Sequence, residues 1–213
     1  HDKRYISFRG VLTRRQIFNF DFLFGEISDK YDPFDWKTFR SGEQKYEAVA
    51  TDVITGTSRY FNLDNCSNIT KAVMGSASLP ILSKMVEVDG RKYLDGGVST
   101  PVAYKRAFRL GYKKAVVVLT REDGYRKKPL KGVNGKIYKR YFRPLPRFTD
   151  KLMTVPERYN LMQEEMENLS AEGKLFIIRP QKHVVVKRLE RSLGKLESLY
   201  NEGYEEGLKN IKA

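Results

Sequence analysis

The 213-residue chain is 40% hydrophobic and 12% aromatic, long and apolar enough to bury a sizeable core and too apolar for a disordered protein. Its longest aliphatic run, Ala115 to Leu119, falls far short of the roughly 18 residues that a bilayer-crossing helix needs. The formal charge of +14 is uneven, because Arg121 to Arg147 holds ten Lys or Arg residues against two acids.

In chain order, the first dense segment is IFNFDFLF, Ile17 to Phe24, too apolar for a surface helix and expected to be buried on most sides as helix or strand. Tyr46 to Ala50 and Ser58 to Phe61 read as short strands around the turn DVITG, a sheet edge or a hairpin. Asn68 is placed to cap a helix over Ile69 to Met74, which runs into Gly75-Ser76-Ala77-Ser78 before Pro80 stops it. A two-residue turn at Asp89-Gly90 then pairs Val88 with Arg91, Glu87 with Lys92, Val86 with Tyr93 and Met85 with Leu94. Opposite charges and a β-branched to aromatic contact each support that register by roughly 0.2–1 kcal/mol. A second Asp-Gly pair, in Asp95-Gly96-Gly97, ends the second strand, and no returning strand follows it.

Past Pro101, VAYKRAFRLG suits a helix closed by Gly111, and KAVVVLTR reads as a strand buried on both faces of a parallel sheet. Pro156 to Glu172 forms an amphipathic helix ended by Gly173, and LFIIRP another buried strand. Val186 to Ile211 reads as a long charged helix with Leu189, Leu193, Leu196, Leu199 and Tyr200 on one side. The basic strip after Arg121 reads as a solvated loop and a boundary, and its interleaved Tyr and Phe also fit an anionic membrane surface, with nucleic acid ranked below. No zinc-ligand spacing or nucleic-acid signature accompanies it, and no cofactor or metal is expected. The single cysteine, Cys66, fits a reducing compartment, with the cytoplasm as default and peripheral membrane contact as an addition.

The run GSASLPILSKMVEVDGRKYLDGGVSTP, with VATDVITG before it and KAVVVLTREDGYRKKP after it, resembles the bacterial patatin-like phospholipases. With RYISFRG and FNFDFLF, the resemblance extends from Arg4 to about Pro129. It implies an α/β fold, a patatin-like sheet flanked by helices. It also implies a lipid acyl hydrolase, phospholipase or esterase, working on lipid esters through a Ser-Asp dyad. Asp95 would be the base, and Gly96 and Gly97 would let the backbone take positive φ and come close to its neighbours.

The family's other parts are missing. No G-x-S-x-G and no Gly-rich oxyanion loop occur in these residues, and Leu79 and Pro80 follow Ser76 and Ser78 where an elbow needs small residues. VSTPVAY also replaces the family's acid or Asn before its Pro. The expectation is therefore a carboxy-terminal portion of such a hydrolase, with the amino-terminal βαβ unit and its nucleophile elbow absent. Residues 1–125 would belong to the hydrolase domain, and 126–213 to a basic strip and α/β extension packed on it. A sheet edge left open in this way would favour self-association. His183 follows Asp95 in the order of a Ser-His-Asp triad, but its polar setting in RPQKHVVVKR reads as structural, and His1 is terminal. The rival reading is a basic module without chemistry.

Overall fold

The computed structural model describes residues 4–6, 17–187 and 189–211. His1 and most of RYISFRG lie outside the described residues. Packing divides the chain into two compact units, one built on Asp2–Val102 with Pro129–Val155, the other on Ala103–Lys128 with Pro156–Ala213.

The first unit opens on the aromatic segment, whose Ile17, Phe18, Phe20 and Phe22 are all buried. Phe18 bridges to Ile6 in strand fashion, and from Phe22 the chain winds into a wide π-type helix, α1 (Phe22–Tyr31). A short helix, α2 (Trp36–Ser41), is capped by Asp35, which accepts from Thr38 N–H at 2.9 Å. Strands β1 (Ala48–Asp52) and β2 (Ser58–Phe61) form the expected hairpin, with Ala48 opposite Phe61 and Thr51 opposite Ser58. Helix α3 (Ile69–Ser76) begins at Asn68, whose side chain accepts from Lys71 N–H at 2.9 Å.

Strands β3 (Val86–Val88) and β4 (Arg91–Asp95) pair in the register read from the sequence at Val86 to Tyr93, Glu87 to Lys92 and Val88 to Arg91, but the expected fourth pair is not made, because β3 begins after Met85 and Leu94 is paired with Thr51 of β1. Asp89 and Gly90 both have positive φ, as the tight turn requires. The four strands make one antiparallel sheet in the order β2-β1-β4-β3.

Side chains alternate across a strand, and β4 shows the result. Tyr93 joins a core with Ala50, Phe61, Val88 and the α3 residues Ile69 and Ala72. Leu94 joins a second core with Val53, Val98, Phe142, Phe148 and Leu152. That second core corrects the loop reading of the basic strip. Its latter part forms α5 (Gly132–Tyr141) and leads into α6 (Pro146–Met153). Tyr138 and Phe142, four apart, turn one side of this segment inward, while the lysines and arginines that hid the periodicity stay outside.

In the second unit, α4 (Tyr104–Arg109) is followed by Gly111 at φ 93°. Strands β5 (Ala115–Val118) and β6 (Leu175–Ile178) pair in parallel, with Ala115 opposite Leu175. Between them in sequence runs α7 (Val155–Ala171), burying Tyr159, Met162 and Met166. The expectation of buried strands fails in both β5 and β6. Val117 and Leu175 are buried, but Val116 and Val118 are 64% and 71% exposed and Phe176 is exposed as well, because neighbours cover one face only.

The last helix, α8 (Leu193–Ile211), starts later than Val186. The run Val184 to Val186 is β-branched, and Glu190 turns back to accept from the N–H groups of Arg191 and Ser192, so the helix begins beyond them. Of the expected inward row, Leu193, Leu196 and Tyr200 are exposed. The early part of the basic strip is anchored in this unit. Asn160 exchanges two hydrogen bonds with the Lys127 backbone, and the Lys127 ammonium sits 4.2 Å from the centre of the Tyr159 ring.

Candidate active site

Asp95 is the last residue of β4, opposite Ala50 of β1. Its backbone is held from both sides: its N–H donates to Ser78 O at 2.8 Å, and its carbonyl accepts from the Thr51 hydroxyl at 2.8 Å. The half-buried side chain caps the 3₁₀ turn Gly96–Val98, accepting from Gly97 N–H at 2.7 Å. The carboxylate is therefore oriented by its own motif.

The two motif glycines serve different ends, and neither has positive φ, which corrects that part of the expectation. A Cβ on Gly96 would lie 2.1 Å from the carbonyl oxygen of Val49, a distance no side chain can occupy. A Cβ on Gly97 would meet only the Asp95 carboxylate, at 3.1 Å. Gly96 thus lets the turn lie against β1, and Gly97 keeps clear the space beside the carboxylate.

Both serines of Gly75-Ser76-Ala77-Ser78 lie at or just past the end of α3. Ser78 is fully buried and donates to Met74 O at 2.7 Å; Ser76 closes α3 without a tight strand-to-helix turn around it. Ile81 in the following loop has φ 71°, a strained value for a β-branched residue. His183 lies in the second unit, its Nδ1 2.6 Å from Glu122 Oε1. The Glu122 carboxyl is held below its ordinary value by its own backbone N–H first, then by Val184 N–H and His183. The His183 ring is exposed while the Glu122 side chain is mostly covered, and this pairing accounts for the position of the histidine.

Residues that the sequence did not flag surround the motif. Thr51, Ser99, Ser58 and Thr100 form a chain of hydroxyl contacts at 2.6 to 2.8 Å that ties β1 and β2 to the segment after Gly97. Asp52 is buried, accepts from Ile54 and Thr55 N–H, and pairs with Arg91 Nε at 2.7 Å. Only the Asp at the head of DVITG signalled that turn; the hydroxyls are too common in strands to stand out. One face of α3, at Thr70 and Val73, also borders an apolar cleft of about 470 Å³ walled by Phe24, Phe34, Trp36 and Phe39. Among the described residues no group of His, Cys, Asp and Glu converges as a metal site, and no helix is long and apolar enough to cross a membrane.

Comparison with known proteins adds two matches. Residues 145–213 match a family model described as a domain of unknown function, DUF6363. Residues 6–107, which include the Asp95 turn and α3, match the model described as patatin-like phospholipase. No curated protein matches the chain. The chain thus carries a patatin-like phospholipase domain followed by a DUF6363 domain.

Proposed function

We propose that the protein takes part in lipid acyl hydrolysis, with Asp95 as the base of a Ser-Asp dyad. The observation that carries this reading is the placement of Asp95 at a strand end inside the patatin-like match, its carboxylate oriented by Gly97 N–H. A hydroxyl attacks an ester carbonyl only when a base within about 2.6–3.2 Å takes its proton, and an oriented carboxylate meets half of that demand. The other half is a serine on a G-x-S-x-G turn, a sequence these 213 residues do not contain. The apolar cleft beside α3 suits the acyl chain of a lipid ester, since its walls are mostly aromatic and aliphatic. Treatment of this chain with a fluorophosphonate probe tests the division of labour. No labelling and no ester turnover are expected, whereas stoichiometric labelling would place a reactive serine within these residues and overturn it.

A second reading rests on α5. Val133, Ile137 and Tyr141, four residues apart, are 72%, 49% and 58% exposed and interleave with Lys136 and Arg140. An exposed apolar stripe set among cations suits the surface of an anionic membrane, to which it would bring the hydrolase. Co-sedimentation with anionic but not neutral vesicles is the expected result. Equal binding to both, or salt-sensitive binding to DNA with none to vesicles, would contradict it.

A further inference from the structure

Thr51 lies in β1 next to Ala50, the residue opposite Asp95, and it is fully buried. Its β-branch suits a strand, but a buried hydroxyl is costly unless it finds partners. The partners of this hydroxyl lie at the two ends of one short segment. It donates to the Asp95 carbonyl at 2.8 Å and accepts from the Ser99 N–H at 3.1 Å, a donor it shares with Gly96 O. The Ser99 hydroxyl is also 2.8 Å away, and Ser58 and Thr100 extend that contact toward β2. One buried oxygen thus brackets Asp95-Gly96-Gly97-Val98-Ser99, the segment in which the Asp95 carboxylate accepts from Gly97 N–H. Two consecutive glycines give such a segment wide backbone freedom, which works against a fixed carboxylate, and the bracket limits that freedom at both ends.

We propose that Thr51 is a positioning residue for Asp95, an inference that rests on the reading of Asp95 as the base. Thr51 bonds the Asp95 carbonyl, so it acts through the backbone and fixes where the side chain begins. A base works only within about 2.6–3.2 Å of the proton it takes, and a displacement near 1 Å can cost roughly 10²-fold in rate. Loss of the hydroxyl should therefore slow the chemical step and leave substrate binding nearly as it was, which lowers kcat with KM little changed. Thr149 supplies a matched control. It is another buried threonine of the same unit, and its hydroxyl bonds Phe142 O and Leu145 O, both at 2.9 Å, between α5 and α6.

The kinetic test uses the protein as its gene encodes it. Thr51→Val keeps the shape and loses the hydroxyl, and it should lower kcat for lipid ester hydrolysis roughly 10–10²-fold with KM within about twofold. Thr51→Ser keeps the hydroxyl and should return kcat to within about threefold of the wild type. Thr149→Val should lose thermal stability as Thr51→Val does, yet keep its kcat. The inference is overturned if Thr51→Val retains wild-type kcat while Asp95→Asn loses turnover, if Thr51→Ser is as slow as Thr51→Val, or if Thr149→Val is slowed as much. Full turnover in Asp95→Asn would instead overturn the base assignment, and this inference with it. Amide hydrogen exchange in the 213-residue chain gives a readout without turnover. The wild-type Gly97 N–H should exchange as slowly as that of Asp95, and Thr51→Val should speed it about tenfold beyond any change in Thr149→Val. Exchange of the wild-type Gly97 N–H at the rate of an open loop would overturn the bracket even if Thr51→Val failed to fold.

Discussion

Alanine at Gly96 puts the packing of the Asp95 turn to a quantitative test. The added Cβ would sit 2.1 Å from Val49 O and 2.8 Å from both the carbonyl carbon and Cγ1 of Val49. The closest obstacle is backbone of a paired strand, so no rotamer change relieves it, and β1 or the turn must move. Overpacking of this kind costs roughly 1–3 kcal/mol where side chains can yield; with backbone as the obstacle we expect about 3 kcal/mol. For a chain of this size each kcal/mol lowers the midpoint by roughly 2–4 °C, so Gly96→Ala should unfold about 6–12 °C below the wild type. Two controls isolate the cause. Gly90→Ala meets nothing within 4 Å but must hold φ 75°, which costs about 1 kcal/mol. Gly97→Ala, facing only Asp95 Oδ1 at 3.1 Å, should cost less than about 1 kcal/mol and act on the carboxylate rather than on the fold. Thermal unfolding followed by circular dichroism reads all three. A Gly96→Ala midpoint no lower than that of Gly90→Ala would refute the close approach as the reason for this glycine.

Asp52→Ala strips Arg91 of its buried partner and leaves two turn N–H groups without an acceptor, so denaturant unfolding should show a loss of about 2–3 kcal/mol. Burial, and secondarily Glu165, raises Tyr104 above the ordinary value near 10, and burial likewise raises Tyr93 and Tyr159. Their folded-state values exceed the unfolded one, so their contribution is full below about pH 10 and is lost as the pH climbs through the raised values. Absorbance at 295 nm should show these phenols ionising late, together with unfolding; ionisation at the free-tyrosine pH in an intact fold would contradict the assignment. The exposed apolar face of β5 at Val116 and Val118 should make the chain self-associate, and light scattering should show Val118→Lys shifting it toward monomer.

What the sequence made legible follows from local rules. The Asp89-Gly90 turn fixes a register, and the period of two carries it along both strands, so Val86 opposite Tyr93 could be read directly. The Asn68 cap and the closing Gly111 and Gly173 are similarly local. Features that depend on distant partners stayed hidden. Tyr138, Phe142 and Phe148 are core residues because β4 presents Leu94 to them, and the surrounding charge masked their spacing. Val116 looks like a core residue, and only the layout of neighbours leaves it exposed. At the site, the place of Asp95 at a strand end was readable from its motif, while the carbonyl of Val49 that dictates Gly96 comes from a strand 47 residues earlier.

The central claim is that Asp95 acts as a base in ester cleavage. The most direct test is kcat/KM for lipid ester hydrolysis by the protein as its gene encodes it, compared with its Asp95→Asn form at matched thermal stability. Asparagine keeps an oxygen for Gly97 N–H but takes no proton, so turnover should fall roughly 10²–10⁴-fold. Unchanged turnover in the folded variant would contradict the account.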